Sequence, residues 1–400
     1  MKILQINITC GRGSTGKLSQ ALYKATQKEG YEARFAYSAY TPTLEHAFSI
    51  ETKLQNYLRR GLNRFFGRKQ SHSTPGTKRL IRYIKKEKPD LIHLHNVQQN
   101  SVNYHKLFSF LKETEIPVVF TLHDCWAFTG GCFHFTEIGC QGYQTGCKNC
   151  PLPEHPDDIT CLAESAYGEK KKLVGGNCRL YPICVSNWLR DCARASYMGQ
   201  MRHIPQTIYN GIDTGLFSPK KSNIREELHI DEAAFVVLGV ASFWTEEKGL
   251  SVFKELRAGL SADTVIVLVG QGAEQVQDQG IICIPRTENQ EQLAQLYSTA
   301  DVFINSSLEE TFGLTTAEAM ACGTPAIVFD STACPEIVDE NTGIVIQPKA
   351  DMLLEAIEKI KENGKEKYHV HCVERARACF GEKRMTEEYL ALYRSLLDGK

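Results

Sequence analysis

Two glutamates in the second half of the chain, Glu310 and Glu318, have the residue type and spacing to bind a polar ligand. Glu310 follows an apolar run at 301–305 that predicts a short buried strand, and Glu318 lies inside a predicted helix at 315–322. A second apolar run at 326–329 predicts the next strand, so the stretch forms one strand–loop–helix–strand unit. Open α/β sheets bind ligands at the carboxyl ends of such strands, where both glutamates are expected to lie.

The backbone between the two glutamates predicts an anion site at the same edge. The amides of Gly313, Leu314 and Thr315 open the predicted helix, and helix N-termini bind anions. Carboxylates accept hydrogen bonds from sugar hydroxyls, while the amides suit a phosphate. The stretch therefore predicts a site for a polyhydroxylated ligand that carries phosphate. A surface helix with two solvated glutamates would be the better interpretation of the Glu-x7-Glu spacing taken alone.

The segment from 310 to 325 reads Glu-x-Phe-Gly-x4-Glu-Ala-x-Ala-x-Gly-x-Pro. This pattern resembles the donor-site signature of the retaining, nucleotide-sugar-dependent glycosyltransferases of family 4, which have the GT-B fold. The resemblance implies an α/β protein of two Rossmann-like domains that face each other across a cleft. It also implies that Glu310 contacts the donor sugar hydroxyls and that Glu318 holds the ribose.

Size and composition agree with this class and argue against several others. The 400 residues suffice for two domains, and 42% hydrophobic with 23% charged residues is typical of a soluble globular protein. A net charge of −1 provides no overall field to attract nucleic acid. The N-terminus does not resemble a signal peptide, and no apolar run approaches the ~20 residues of a membrane-spanning helix. The 15 cysteines are therefore expected to be reduced thiols in the cytoplasm, where some of them are available to bind a metal.

A glycine-rich turn follows the first predicted strand, 2–8, and precedes a predicted helix at 18–28. Such a turn holds a phosphate or lets a ligand approach the backbone. The stretch from Gly11 to Lys17 nearly matches the P-loop pattern. The next residue, however, is leucine, where a P-loop has the serine or threonine that binds magnesium. By the family resemblance, the turn faces the donor diphosphate, with Gly13 and Gly16 as donor-binding residues. A tight turn without a ligand stays open as an alternative.

Polar residues also follow the predicted strand at 116–122. His123 and Asp124 come directly after it, at an edge where ligands are expected. By the family resemblance, His123 reaches the donor sugar. Asp124 is expected to orient either the acceptor or the imidazole of His123, and the sequence leaves both roles open.

A cysteine-rich loop at 125–151 follows these two residues. The Cys-x2-Cys spacing at its end lets two thiolates bind one ion, and a long loop with little periodicity needs a stabilising element. Four thiolates would leave zinc no open position, so the ion would be structural rather than catalytic. His134 is an alternative ligand, and four free thiols or two redox-active pairs are the alternative to a metal. The cluster resembles a subset of family 4 enzymes with a Cys-rich loop at this place. The expected zinc ligands are Cys132, Cys140, Cys147 and Cys150.

The segment 54–69 has apolar residues at helical spacing and five basic residues on its remaining face. A basic amphipathic helix of this kind binds an anionic membrane surface, or else packs its apolar face on its own domain. The sequence leaves both open. Membrane contact would suit a peripheral protein on the inner face of the cell membrane that acts on a lipid-linked saccharide.

The run at 210–219 resembles the interdomain crossover of the family. We therefore predict an N-terminal, acceptor-side domain at 1–215, a C-terminal donor domain at 216–379, and a final helix at 380–400 that packs back on the N-terminal domain. At the start of the donor domain the family pattern has an arginine and a lysine five residues apart. Here Lys248 occupies the lysine position, but Phe243 replaces the arginine.

A lysine neutralises the leaving diphosphate as a point charge. Without the arginine guanidinium, the second phosphate charge must be balanced by Arg12, Lys17 or Arg286. The sequence does not decide among these three. Arg286 also follows the predicted strand at 281–284, where the family binds the nucleotide base.

Together these features predict a retaining glycosyltransferase that moves a sugar from a nucleotide diphosphate sugar to a hydroxyl acceptor. The expected acceptor is a saccharide or lipid-linked saccharide in surface polysaccharide assembly. No Asp-x-Asp run is present, so no metal cofactor is expected for catalysis. The alternatives are a P-loop nucleotide hydrolase or kinase, and a non-catalytic GT-B protein that binds sugar nucleotides.

Overall fold

A computed structural model describes residues 1–39, 44–52, 74–98, 102–152, 163–276 and 278–398. It divides into two compact units, one formed by Met1–Ile208 with Thr386–Lys400 and the other by Tyr209–Met385. The boundaries predicted from the sequence, 215 and 379, lie seven and six residues from these divisions and stay a prediction of the domain limits. The basic amphipathic segment 54–69 lies outside the described residues.

Within the described residues, the first unit has a sheet of seven parallel strands in the order β3-β2-β1-β4-β5-β6-β7. The strands are Lys2–Ile6 (β1), Glu32–Tyr37 (β2), Ala47–Ser49 (β3), Leu91–Leu94 (β4), Val118–Leu122 (β5), Leu180–Cys184 (β6) and Gln206–Thr207 (β7). Its helices are Gly13–Lys28 (α1), Thr74–Glu87 (α2), Tyr104–Lys112 (α3), Gly142–Thr145 (α4), Ala163–Lys170 (α5) and Asn187–Ala195 (α6).

The second unit has a sheet of six parallel strands among its described residues, in the order β10-β9-β8-β11-β12-β13. The strands are Phe235–Phe243 (β8), Thr264–Gln271 (β9), Ile281–Ile284 (β10), Val302–Asn305 (β11), Ala326–Phe329 (β12) and Gly343–Ile346 (β13). The helices that follow in the chain are Ile224–Glu227 (α7), Leu250–Gly259 (α8), Gln290–Thr299 (α9), Leu314–Ala321 (α10), Cys334–Ile337 (α11), Ala350–Asn363 (α12), Glu366–Phe380 (α13) and Glu382–Asp398 (α14).

The central strands are continuous apolar runs because helices cover both faces of a parallel sheet. Every residue of β5 and of β12 is buried. The central unit of the sequence analysis is present as β11, α10 and β12, with the helix beginning at Leu314. Among the described residues, no helix is both long enough and apolar enough to cross a membrane.

The sequence analysis predicted a final helix from 380 onward, and the structure has one helix there, α14, which begins at Glu382. It follows a second long helix, α13, and the two meet at Gly381. The amide of Ile212 donates to the Phe380 carbonyl, and the amide of Glu382 donates to the Ile212 carbonyl. This hydrogen bonding between distant parts of the chain separates α13 from α14, and a local sequence pattern does not reveal the separation.

In both sheets the strand order reverses at one place. The reversal lies between β1 and β4 in the first unit and between β8 and β11 in the second. Strand orders of this doubly wound type bind ligands beyond the carboxyl ends of the strands at the reversal. Each unit therefore has one edge at which a site is expected.

Candidate active site

At the strand-order reversal of the second unit, Lys248 and Glu310 form an ion pair. The ammonium Nζ lies 2.6 Å from Glu310 Oε1, and the two side chains are 34% and 23% exposed. Lys248 ends the turn that links β8 to α8, and Glu310 lies on the loop after β11. The sequence analysis predicted both residues as catalytic, and the structure brings them into contact.

The turn that carries Lys248 packs tightly on the loop that carries Glu310. Gly249 has a φ of +74°, and a Cβ at this position would lie 2.5 Å from the Ser306 carbonyl oxygen, so the position requires glycine. Ser306 Oγ donates to the Lys248 carbonyl at 2.8 Å. Because the two backbones approach so closely, the Lys248 side chain is held beside the loop that follows β11.

Glu310 is oriented by two hydroxyl groups. Ser307 Oγ donates to the Glu310 carboxylate at 3.2 Å, and the Glu310 amide donates to Thr332 Oγ1 at 2.9 Å. The Glu310 carboxylate is therefore held by Ser307 of the same loop as well as by the Lys248 ammonium. A partly exposed ammonium and carboxylate in this position can bind a phosphate and a hydroxyl group of one ligand.

The start of α10 lies directly after Glu310. Gly313 has a φ of +100°, which favours glycine, and as the N-cap residue it has no side chain to cap the amides that follow at Leu314 and Thr315. Glu318 is half-buried one turn further on and accepts a hydrogen bond from Tyr297 at 3.2 Å. The amides and the second glutamate therefore lie on the first turns of one helix, directly after the loop that carries Glu310.

Two further residues of the second unit that the sequence analysis singled out do not join the ion pair. Arg286 is exposed on the loop after β10, and no hydrogen bond or ion pair connects it to Lys248 or Glu310 within the part of the chain that the structure describes. Phe243 ends β8 with 58% of its surface exposed. The position of the missing arginine is therefore an exposed aromatic ring.

The strand-order reversal of the first unit contains a cavity of about 420 Å³. Gly13 lies in its wall, at the start of α1, where no side chain caps the helix. Gly16 lies one turn later, where a Cβ would come within 2.8 Å of Thr9 Oγ1, so glycine lets the helix pack against the turn. Lys17 is exposed on the same helix. The cavity is lined by Ile8, Thr9, Arg12, Gly13, Ser14, Thr15 and Asn96.

A cluster of histidines lies next to this reversal. His123 Nε2 is 3.2 Å from His95 Nδ1, and burial lowers the pKa of His123 to about 4 and that of His95 well below its ordinary value. His93 stacks on His95 at 4.1 Å and forms hydrogen bonds with Thr121 and Tyr393. The imidazoles are therefore neutral at pH 7.

His93 in β4 and His95 directly after that strand were not predicted as site residues. Their signal in the sequence is that both interrupt a run of otherwise apolar residues. Tyr393, the hydrogen-bond partner of His93, comes from α14, whose residues from Thr386 onward belong to the first unit. Tyr389 of the same helix forms a hydrogen bond with Thr121 at 2.8 Å. No local pattern could reveal contacts over such a distance along the chain.

Asp124 is held by two hydrogen bonds. Gln98 Nε2 donates to Asp124 Oδ2 at 2.6 Å, and the Trp126 amide donates to Asp124 Oδ1 at 2.9 Å. Burial raises the pKa of Asp124 to about 6, against the opposing effects of the Trp126 amide, the Lys170 charge and Gln98. The carboxylate is thus ionised at neutral pH and titrates close to it.

The cysteine-rich loop has its sulfur atoms in one region of the first unit. The Gly130 amide donates to Cys147 Sγ at 3.1 Å, and the Gly142 amide donates to Cys140 Sγ at 3.3 Å. Burial and the neighbouring thiols of Cys150, Cys147 and Cys140 together raise the pKa of Cys132 to about 12. Within the described residues, however, no three His, Cys, Asp or Glu side chains stand close enough together to hold a metal ion.

A chain of two doubly wound Rossmann-like units, with polar residues gathered at the strand-order reversals, has the GT-B fold of glycosyltransferases. Residues 17–150 match the model of Glycosyltransferase Family 4, and residues 220–378 match the model of Glycosyl transferases group 1. The two matches together cover more than half of the chain. The chain belongs to glycosyltransferase family 4 and is a glycosyltransferase, which excludes the P-loop and non-catalytic interpretations.

Similar proteins span the whole chain. The colanic acid biosynthesis glycosyl transferase WcaC of Escherichia coli (strain K12) is 24% identical, over 99% of this chain and 100% of its own. Sucrose-phosphate synthase from Thermosynechococcus elongatus superimposes with a TM-score of 0.74 at 19% identity, with 100% of both chains covered. Alr3699/HepE from Anabaena, in complex with UDP and glucose, gives a TM-score of 0.68 at 18% identity and covers 99% of this chain and 100% of its own.

Proposed function

We propose that this glycosyltransferase moves a sugar from a nucleoside diphosphate sugar to a hydroxyl acceptor and retains the anomeric configuration. The observation that carries the proposal is the Lys248–Glu310 pair at the strand-order reversal, next to an uncapped helix start. Departure of the nucleoside diphosphate builds negative charge on its phosphates. A preorganised ammonium and a set of amides at that point stabilise the charge as it develops.

Each predicted residue has a role in this proposal. Lys248 and the amides at 313–315 bind the diphosphate, with Gly313 giving the backbone its close approach. Glu310 accepts hydrogen bonds from the donor sugar hydroxyls, and Glu318 holds the ribose. Before the donor arrives, Glu310 neutralises Lys248, so donor binding exchanges this ion pair for contacts of each group with the ligand.

The first unit contributes the remaining roles. His123, neutral at pH 7, supports the transferred sugar by hydrogen bonding without adding charge. Asp124 is ionised at that pH and accepts a hydrogen bond from the acceptor hydroxyl. The turn at Gly13 and Gly16 binds donor phosphate. Arg12 lines the same cavity and is the candidate for the second positive charge, because Phe243 replaces the arginine of the family pattern.

The substrates follow from the relatives. WcaC is named for colanic acid biosynthesis, and HepE is seen with UDP and glucose. We therefore place this enzyme in surface polysaccharide assembly at the inner face of the cell membrane, with a lipid-linked saccharide as acceptor and a UDP-sugar as the first donor to test. Membrane contact through 54–69 belongs to this proposal, and liposome co-sedimentation of the chain with and without that segment tests it.

We also propose that the cysteine-rich loop binds one structural zinc ion. Two of its sulfurs already accept hydrogen bonds from backbone amides, as metal-bound thiolates do, and four thiolates suit tetrahedral zinc. Because the side chains are not yet grouped around one point, binding requires the loop to close on the ion. Elemental analysis of protein purified without chelator should give one zinc per chain. A zinc content near zero, unchanged in the double variant C147S/C150S, would exclude the site.

The proposed function is tested by release of nucleoside diphosphate from UDP-, GDP- and ADP-sugars in the presence of EDTA. Glu310→Gln keeps the size of the side chain and removes its charge, and should abolish turnover of the preferred donor. Glu246→Gln changes an exposed glutamate on the neighbouring turn and is the matched control. Turnover that survives Glu310→Gln, or that requires magnesium, contradicts the proposal.

A further inference from the structure

Tyr297, near the end of α9, is fully buried and has a hydroxyl group that packing alone does not require. None of its surface is exposed. Its ring packs edge-on against those of Phe217 and Phe303, with ring centres 6.1 Å and 5.6 Å away. A phenylalanine would make the same apolar contacts. Because a buried hydroxyl costs free energy unless it forms a hydrogen bond, the partner of this hydroxyl indicates its role.

The partner of the Tyr297 hydroxyl is the second glutamate of the donor site. The hydroxyl donates directly to Glu318 Oε2 at 3.2 Å. Burial raises the pKa of Tyr297 well above its ordinary value, so the phenol stays protonated and acts as the donor. Hydrogen bonds to a charged acceptor are stronger than those between two neutral groups. The contact therefore restrains one oxygen of the Glu318 carboxylate.

The backbone of Tyr297 is anchored as well as its ring. Thr324, between α10 and β12, donates from its hydroxyl to the Tyr297 carbonyl at 2.5 Å. Helix α9 also packs beside α10, the helix that carries Glu318. Because the ring and the backbone are both held, the phenol oxygen has a fixed place. It is the carboxylate of half-buried Glu318 that adjusts to the phenol, rather than the reverse.

We propose that Tyr297 is a positioning residue for nucleotide recognition, which orients the Glu318 carboxylate toward the hydroxyl groups of the donor ribose. The proposal rests on the ribose role given to Glu318 above and deepens it. It adds a residue that lies outside the Glu-x7-Glu pattern and, being fully buried, does not touch the ligand. Its consequence is selectivity for ribonucleotides over nucleotides without those hydroxyl groups.

Orientation matters because a ribose presents two neighbouring hydroxyl groups, and a carboxylate accepts from both only at a suitable angle. A carboxylate that is already restrained loses less rotational freedom when the ribose binds. Glu318 has a further interaction besides the one with Tyr297. Removing the phenol hydroxyl should therefore loosen the carboxylate and weaken ribose recognition without abolishing it.

The first test measures nucleotide selectivity. Isothermal titration calorimetry gives the dissociation constants of UDP, GDP and ADP, and of the 2′,3′-dideoxy analogue of whichever binds most tightly. The analogue should bind wild type at least about tenfold more weakly, as expected for the loss of hydrogen bonds to a charged group. Tyr297→Phe should reduce this ratio by about threefold or more, and Glu318→Gln should reduce it at least as much.

Tyr368→Phe is the matched control. Tyr368 is also buried in the second unit, but its hydroxyl accepts a hydrogen bond from Asn363 Nδ2 at 3.0 Å. This variant should keep the wild-type ratio. A purely structural role of Tyr297 would weaken binding of both nucleotides equally, so an unchanged ratio in folded Tyr297→Phe would overturn the proposal. A wild-type ratio near one would overturn it together with the ribose role of Glu318.

The second test needs no nucleotide. Crystal structures of the unliganded wild type and variants compare the position of the Glu318 carboxylate. The carboxylate should be rotated or disordered in Tyr297→Phe and unchanged in Tyr368→Phe. A carboxylate that keeps its wild-type position in Tyr297→Phe would overturn the proposal. If no nucleoside diphosphate binds wild type, the proposed function fails, but these structures still decide the role of Tyr297.

Discussion

Replacing Lys248 with methionine should have a large effect on catalysis and a small effect on stability. The ammonium and its Glu310 partner are 34% and 23% exposed, so their ion pair is partly solvated. Pairs of this kind contribute about 1 kcal/mol or less to folding. Removing a group that stabilises developing charge in the transition state, by contrast, costs about 10²–10³ in kcat.

The assay measures initial rates of nucleoside diphosphate release together with thermal unfolding. Lys248→Met should lower kcat by at least one hundredfold, with little change in KM, and shift the unfolding temperature by a few degrees at most. Lys248→Arg retains a cation and should recover part of the rate. Lys254→Met alters an exposed lysine of α8 and is the control. A fall in kcat of less than tenfold, with the fold intact, would refute the role of Lys248.

Two further predictions concern the first unit. Burial lowers the pKa of His123 from about 6.5 in the unfolded chain to about 4. Between these two pH values the unfolded state binds more protons than the folded state. The contribution of neutral His123 to stability is therefore complete above about pH 6.5 and is lost as the pH falls toward 4. The excess stability of wild type over His123→Asn, measured by urea unfolding, should therefore shrink by about 3 kcal/mol between pH 7 and pH 4, and a constant difference would contradict the assigned burial. Tyr393→Phe removes the hydrogen bond to His93 in a buried cluster and should cost about 1–3 kcal/mol in unfolding free energy, whereas a loss below about 0.5 kcal/mol would show that α14 does not depend on this contact.

The residues of the proposed donor site could be predicted from the sequence because they are close together in the chain. Glu310, Gly313 and Glu318 lie within one strand–loop–helix unit, where glycine and carboxylate positions follow from backbone geometry. Apolar runs of four to five residues likewise predicted the buried strands. The chain could therefore be assigned to its family and fold from motifs alone.

The remaining features depend on contacts between distant parts of the chain. The interruption at Gly381 arises from pairing with Ile212, and the Tyr393–His93 bond joins a C-terminal helix to an early strand. In the sequence, Lys170 is one of three consecutive lysines. Only its burial in the structure distinguishes it from its exposed neighbours. No spacing rule indicates which lysine is buried.

The glycosyltransferase assignment is tested most directly by single-turnover release of nucleoside diphosphate in EDTA, with UDP-, GDP- and ADP-sugars compared on wild type and Glu310→Gln. Wild type should release the diphosphate from one donor class without metal, whereas Glu310→Gln, still folded, should not. Equal release by both proteins, or release that depends on magnesium, would contradict the donor site proposed at the Lys248–Glu310 pair.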